Sequence, residues 1–200
     1  MAKLYFHYST MNAGKTTGLL QAAFNYRERG MEVLLFTAAL DNRYGRGKIV
    51  SRIGLQQPAH LFDPQEDLFA RIKALCAAQK IACVFFDEAQ FLSYDQVWQL
   101  AQVVDELQLP VMAYGIRTDF QGKLFPSCQA LMAIADELRE VKTICHCGRK
   151  ATMVVRATAQ GQAVTQGAQV EIGGNDRYIP LCRRHWRAAY EGGALVEGIG

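Results

Sequence analysis

Leu4-Tyr5-Phe6-His7-Tyr8-Ser9-Thr10-Met11-Asn12-Ala13-Gly14-Lys15-Thr16 is the stretch that decides the fold. A brief aromatic and apolar run, Leu4–Tyr8, reads as a buried strand. A loop follows, and Thr16–Arg29 then carries apolar Leu19, Leu20, Ala23 and Tyr26 at helical spacing before stopping at Gly30. The loop matches G-x-x-x-x-G-K-[ST] with Ser9 in place of the first glycine. Successive backbone N–H groups at such a helix start form an anion cradle. Lys15 can reach the β- and γ-phosphates of a nucleotide, and the Thr16 hydroxyl can bind Mg²⁺.

Outward from this loop the strand–helix alternation continues. Val33–Thr37, Ile81–Phe86 and Val111–Tyr114 read as further buried strands. Gln65–Gln79 places Leu68, Ile72, Leu75 and Cys76 on one helical face, and Tyr94–Leu107 does the same with Val97, Leu100, Val104 and Leu107. The pattern predicts an α/β fold, a parallel sheet flanked by helices, over residues 1–142. Cys83-Val84-Phe85-Phe86-Asp87-Glu88 is a hydrophobic strand ending in two carboxylates. Asp87 is placed to serve Mg²⁺ and Glu88 to take a proton from an attacking hydroxyl or water. Gln90 and Phe91 stand at the mouth of the same site.

From about Thr143 the texture changes to a small β-rich appendage, 143–191. It has extended runs at Thr152–Thr158 and Ala168–Ile172 and a short helix from Cys182 to about Tyr190. Cys145-x-Cys147 and Cys182-x-x-His185 are two ligand pairs separated by 34 residues, the donor set of a closed structural zinc site. His146 is a rival for the fourth position, and a redox-active cysteine pair or plain buried thiols are the other readings. Cys76, Cys83 and Cys128 read as core residues. Arg149-Lys150 and Arg183-Arg184 read as a solvated face, with too little aromatic interleaving for a nucleic-acid binder. The glycine-rich 192–200 reads as a flexible tail.

Composition sets the outer bounds. The 200 residues are half hydrophobic and one fifth charged, so a full core is expected without a disulfide scaffold. The formal charge of +3 points to no polyanion. No run of 18 apolar residues and no secretory leader is visible, so the expected setting is the reducing cytoplasm, with no membrane partner.

The phosphate loop, Asp87-Glu88-Ala89-Gln90-Phe91 and a terminal zinc knuckle preceded by Gly173-Gly174 and Tyr178 together resemble the type II (cytosolic-type) thymidine kinases. Asp41-Asn42-Arg43-Tyr44, Gly115-Ile116-Arg117-Thr118-Asp119-Phe120 and Ile172-Gly173-Gly174-Asn175-Asp176-Arg177-Tyr178 match further segments of that family, and the likeness runs from Leu4 to about Tyr190. The resemblance implies a P-loop, RecA-like sheet that transfers the γ-phosphate of ATP to the 5′-hydroxyl of thymidine, and of deoxyuridine. It implies that Ser9, Thr10, Met11, Asn12, Ala13, Gly14, Lys15 and Thr16 line the ATP phosphates, with Asp87, Glu88, Ala89, Gln90, Asp41 and Arg43 beside them. Glu88 would be the general base. Met11, Phe91, Phe120, Phe125 and Tyr178, with the main chain at Val170, Ile172, Gly173 and Gly174, would hold the nucleoside. A structural Zn²⁺, a homotetramer and feedback by dTTP complete what the family implies. The competing readings are a P-loop ATPase with a zinc-ribbon partner-binding module, and a non-enzymatic zinc-ribbon module with a degenerate loop.

Overall fold

The computed structural model describes residues 1–40, 45–170 and 177–194. Six parallel strands form the central sheet: β1 (Leu4–Ser9), β2 (Glu32–Ala38), β5 (His60–Phe62), β6 (Ile81–Phe86), β7 (Val111–Ile116) and β8 (Glu137–Glu140). Their order is β5-β2-β6-β7-β1-β8, so β1 and β2 are separated by two later strands, as in a RecA-like sheet. The crossovers are α1 (Lys15–Glu28), α2 (Leu68–Ala78), α3 (Tyr94–Leu107) and α4 (Pro126–Ile134).

Pleating sorts the hydrophobic runs into two cores. On one face Leu34 and Phe36 of β2 join Val84 and Phe86 of β6 under α2, α3 and α4, with the Phe36 and Phe86 rings stacked at 4.8 Å. On the other face Val33 and Leu35 join Cys83 and Phe85 under Leu19, Leu20 and Ala23 of α1. The periodicity that predicts α3 is reinforced by a capping box: the Ser93 hydroxyl accepts from the Gln96 amide while the Gln96 side chain accepts from the Ser93 amide. Cys83 and Cys128 are fully buried and Cys76 is half-buried, so the expectation of core thiols holds. Among the described residues no helix is long and apolar enough to cross a membrane.

The differences from the sequence reading have local causes. α2 starts at Leu68 because Asp67 caps it, accepting from the Ala70 amide, so the preceding Gln65–Asp67 lie outside the helix. The polar β8 carries no hydrophobic alternation because it is the charged edge of the sheet. The hairpin of β3 (Lys48–Val50) and β4 (Gln56–Pro58) is too short to show a period.

In the appendage β9 (Thr143–Ile144) pairs with β10 (Lys150–Ala151). β11 (Met153–Arg156) pairs antiparallel with β12 (Tyr178–Leu181), and α5 (Arg183–Tyr190) closes the unit. The second extended run was expected at Ala168–Ile172, but the partner of β11 is β12, and Ala168–Val170 form no ladder. Side chains instead hold that segment, as described below. Of the expected tail, residues 195–200 lie outside the described residues.

Candidate active site

Every parallel strand ends at the same edge of the sheet, and two of those ends carry the chemistry. After β1 the chain enters the loop through buried Ser9 and Thr10, turns at Asn12 with φ 62°, and reaches Gly14 at φ 80°. That left-handed conformation at the cap of α1 is why glycine stands there. Lys15 folds back so that its Nζ donates to the Thr10 carbonyl at 2.8 Å. Desolvation lowers its pKa against the opposing pull of Glu88 and then Asp87.

The second strand end brings Asp87 under the loop, where the Thr16 hydroxyl donates to its Oδ2 at 3.0 Å. Burial first, and the neighbouring Glu88 charge second, push the Asp87 carboxyl up to about 7. Glu88 adopts φ 54°, a left-handed kink that breaks strand alternation and lets it line the cavity while Asp87 stays beneath. Gln90 then braces Glu88: its Nε2 donates to Glu88 Oε2, while its Oε1 accepts from the Ile116 amide at 3.2 Å. Ser127 Oγ donates to the Gln90 carbonyl at 2.9 Å, tying this turn to α4. Gly115 leaves room for the arrangement, since a Cβ there would lie 3.1 Å from the Gln90 amide nitrogen.

A cavity of ≈ 320 Å³ opens above these groups. Of the expected site residues, Met11 through Thr16, Glu88, Gln90, Phe91, Phe120, Phe125, Val170 and Tyr178 line it. Ser9, Thr10, Asp87 and Ala89 lie beneath the cavity rather than on it, and the Ala89 methyl is fully enclosed in the main core. The expected Asp41, Arg43, Ile172, Gly173 and Gly174 lie outside the described residues. Sequence reasoning missed several lining groups. Leu40, Val50, Arg52 and Ile53 come from β2's exit and the β3–β4 hairpin, Asp119 from the loop after β7, and Val154 and Gln169 from the appendage. Val154 lies in the extended run read at Thr152–Thr158, which gives no sign of a site role, and the hairpin residues carry no motif.

The loop and the appendage share a seam. Thr10 Oγ1 donates to the Met153 carbonyl at 3.0 Å, Asn12 Nδ2 to the Tyr178 carbonyl at 3.1 Å, and Arg117 Nη2 to the Thr152 carbonyl at 3.0 Å. Phe120, Val154 and Tyr178 form a small apolar cluster, with Met11 against it. The cavity is therefore lined by the polar Asn12–Thr16 loop and Glu88 as well as by aromatic Phe91, Phe120, Phe125 and Tyr178.

Cys145, Cys147, Cys182 and His185 converge, their ligand atoms all within 4.8 Å of one another. A tight turn makes this possible: the Gly148 amide donates to the Cys145 carbonyl at 2.8 Å, with Gly148 at φ 77°. Cys182 and His185 are brought in at the start of α5. A tetrahedral zinc about 2.3 Å from each sulfur requires sulfurs roughly 3.8 Å apart, and Cys147 and Cys182 Sγ stand 3.9 Å apart. The donor set fits that ion. The rival His146 lies with its ring 4.4 Å from that of His185, flanking the cluster.

Comparison with known proteins agrees with this geometry. The family model described as Thymidine kinase matches residues 2–186. A thymidine kinase of Ruegeria pomeroyi is 65% identical over 189 residues, covering 94% of this chain and 96% of its own. One of Agrobacterium fabrum is 64% identical, covering 93% and 96%, and one of Rhizobium etli is 60% identical over the full length of both.

Proposed function

This chain belongs to the thymidine kinase family, and from that premise we propose how its residues divide the transfer of the γ-phosphoryl group of ATP to the 5′-hydroxyl of thymidine. The observation that supports the reading is one cavity lined by the Met11–Thr16 loop, by Glu88 and by the aromatic Phe91, Phe120, Phe125 and Tyr178. Phosphoryl transfer demands alignment and charge neutralisation more than covalent help from the protein.

The amides of Met11 through Thr16 and the Lys15 ammonium hold the phosphates. Thr16 and Asp87 are the pair that holds Mg²⁺, which when bound neutralises charge on the phosphate oxygens. Glu88, fixed by the Gln90 amide, accepts the proton of the 5′-hydroxyl as the oxygen attacks phosphorus and ADP departs. Phe91, Phe120, Phe125 and Tyr178 enclose the base, with Met11 beside it. Deoxyuridine, lacking only a methyl group, is accepted by the same wall. Among the expected groups without a described position, Asp41 and Arg43 act at the phosphates, and the main chain at Ile172, Gly173 and Gly174 acts at the base.

Cys145, Cys147, Cys182 and His185 bind zinc, whose four protein ligands leave no open catalytic position. Residues 1–142 and 143–191 act as a phosphate-binding unit and a nucleoside-closing unit that meet at the Thr10, Asn12 and Arg117 seam. We propose further, in line with the family resemblance, feedback by dTTP, a homotetramer and a cytoplasmic setting; inhibition by dTTP and light-scattering mass measure the first two.

Incubation with Mg²⁺-ATP and each common nucleoside in turn tests the activity. Thymidine monophosphate, alone or with deoxyuridine monophosphate, is the expected product. Nucleoside-independent release of phosphate would make the chain an ATPase instead.

A further inference from the structure

Among the described residues one arginine is buried, Arg156 at 4% exposure, and it belongs to none of the groups assigned above. A guanidinium withdrawn from water is costly unless its donors are engaged. Its ζ-carbon lies 4.1 Å over the centroid of Phe120, on the aromatic wall of the cavity. Nη1 donates to the Ala168 carbonyl at 3.1 Å and Nη2 to the Gln166 carbonyl at 3.5 Å. In the β11–β12 ladder Arg156 stands directly opposite Tyr178. Gly167, at φ 129°, lets the chain pass close by, for a Cβ there would come within 2.7 Å of Nη2. The segment it holds continues into Gln169, whose Nε2 donates to buried Asp119 Oδ2 at 2.9 Å, and into Val170 on the cavity wall.

We propose that Arg156 is a positioning residue for nucleoside recognition: stacked on Phe120 and bonded to the 166–168 main chain, it fixes two walls of the base pocket relative to each other. The inference rests on the reading of the aromatic end as the nucleoside site. The guanidinium suits the task because a planar cation can stack and donate in two directions at once, which an ammonium cannot. Among the described residues the 165–170 segment has no ladder partner and is held by side chains, including Gln121 Nε2 to the Thr165 carbonyl at 2.9 Å.

The test is steady-state kinetics on Arg156→Met and Arg156→Lys, with Phe120→Ala as reference and melting temperature measured alongside. Thymidine KM should rise about tenfold or more in both Arg156 variants, the scale of one hydrogen bond to a charged group. ATP KM should stay within about twofold, because that tenfold-scale contact is absent from the phosphate end. Millimolar methylguanidinium should lower the thymidine KM of Arg156→Ala. Should these variants fail to fold, Gly167→Ala crowds the same contact and should give the same split. Thymidine and ATP KM rising together, or a lowered melting temperature with unchanged thymidine KM, overturns the proposal. An unchanged thymidine KM in Phe120→Ala would instead remove the nucleoside reading beneath it.

Discussion

Replacing Trp186 with phenylalanine isolates the link between the cysteine–histidine appendage and the aromatic lining of the cavity. Trp186 is 8% exposed, and its indole N–H points at two carbonyls, Phe120 O at 3.2 Å and Val154 O at 3.1 Å. Val154 lies opposite Pro180 in its ladder, and a proline has no N–H to offer. Phenylalanine removes the donor and leaves those carbonyls short of a partner, costing about 1–3 kcal/mol. The smaller ring also vacates space beside Gly122 and Tyr190, which adds roughly 1 kcal/mol. At about 2–4 °C per kcal/mol for a chain of this size, the melting temperature should fall by roughly 5–15 °C. Calorimetry measures it, with Trp98→Phe as control, since Trp98 is half exposed on α3 and should shift little. Both affected carbonyls belong to cavity-lining residues, so thymidine KM should rise as well. Equal shifts in the two tryptophan variants would refute the reasoning.

Two further outcomes follow. Stripping the metal with a chelator, or replacing Cys145 by serine, should lower the bound zinc from about one per chain, the count for one four-ligand site. It should also unravel the Cys145–Gly148 turn and α5, read by metal analysis and circular dichroism; full retention of structure without metal would contradict a structural role. His7 is stacked on Tyr114 at 4.2 Å, its Nε2 is buried without a hydrogen bond, and burial, with Arg139 next, holds its pKa down at about 4. The unfolded chain, with a histidine pKa of about 6.5, binds that proton first. Stability therefore falls as pH drops from about 6.5 towards 4, and His7→Gln should flatten that part of the urea-denaturation profile; an unchanged slope would remove His7 as its source.

Much of this architecture is written in local chemistry. Ile81–Phe86 and Tyr94–Leu107 are recoverable to the residue because a strand buried on both faces leaves a continuous apolar run and a capped amphipathic helix leaves a periodic trace. The phosphate-loop motif, Asp87, Glu88 and the convergence of Cys145, Cys147, Cys182 and His185 are legible as candidates because such chemistry requires fixed residue types at fixed spacing. Gln90 could be noticed but not assigned its work: the brace on Glu88 depends on the Ile116 amide, which β7 brings alongside only in the folded sheet. Arg156 is less legible still. In sequence it sits inside the extended run Thr152–Thr158, and the return of 165–170 past Phe120 helps explain a buried cation there. Edge strand β8 and the β3–β4 hairpin left no trace because neither buries a hydrophobic face long enough to be periodic.

The central claim, that Glu88 is the base in phosphoryl transfer and not a binding group, is tested most directly by Glu88→Gln. Turnover with thymidine and Mg²⁺-ATP should fall about 10²–10⁴-fold. Calorimetric affinities for thymidine and for ATP should stay within a few-fold of the parent, because the Lys15 cradle and the Phe120–Tyr178 wall are untouched. Near-parental turnover, or a loss accounted for wholly by weakened binding, would contradict the account.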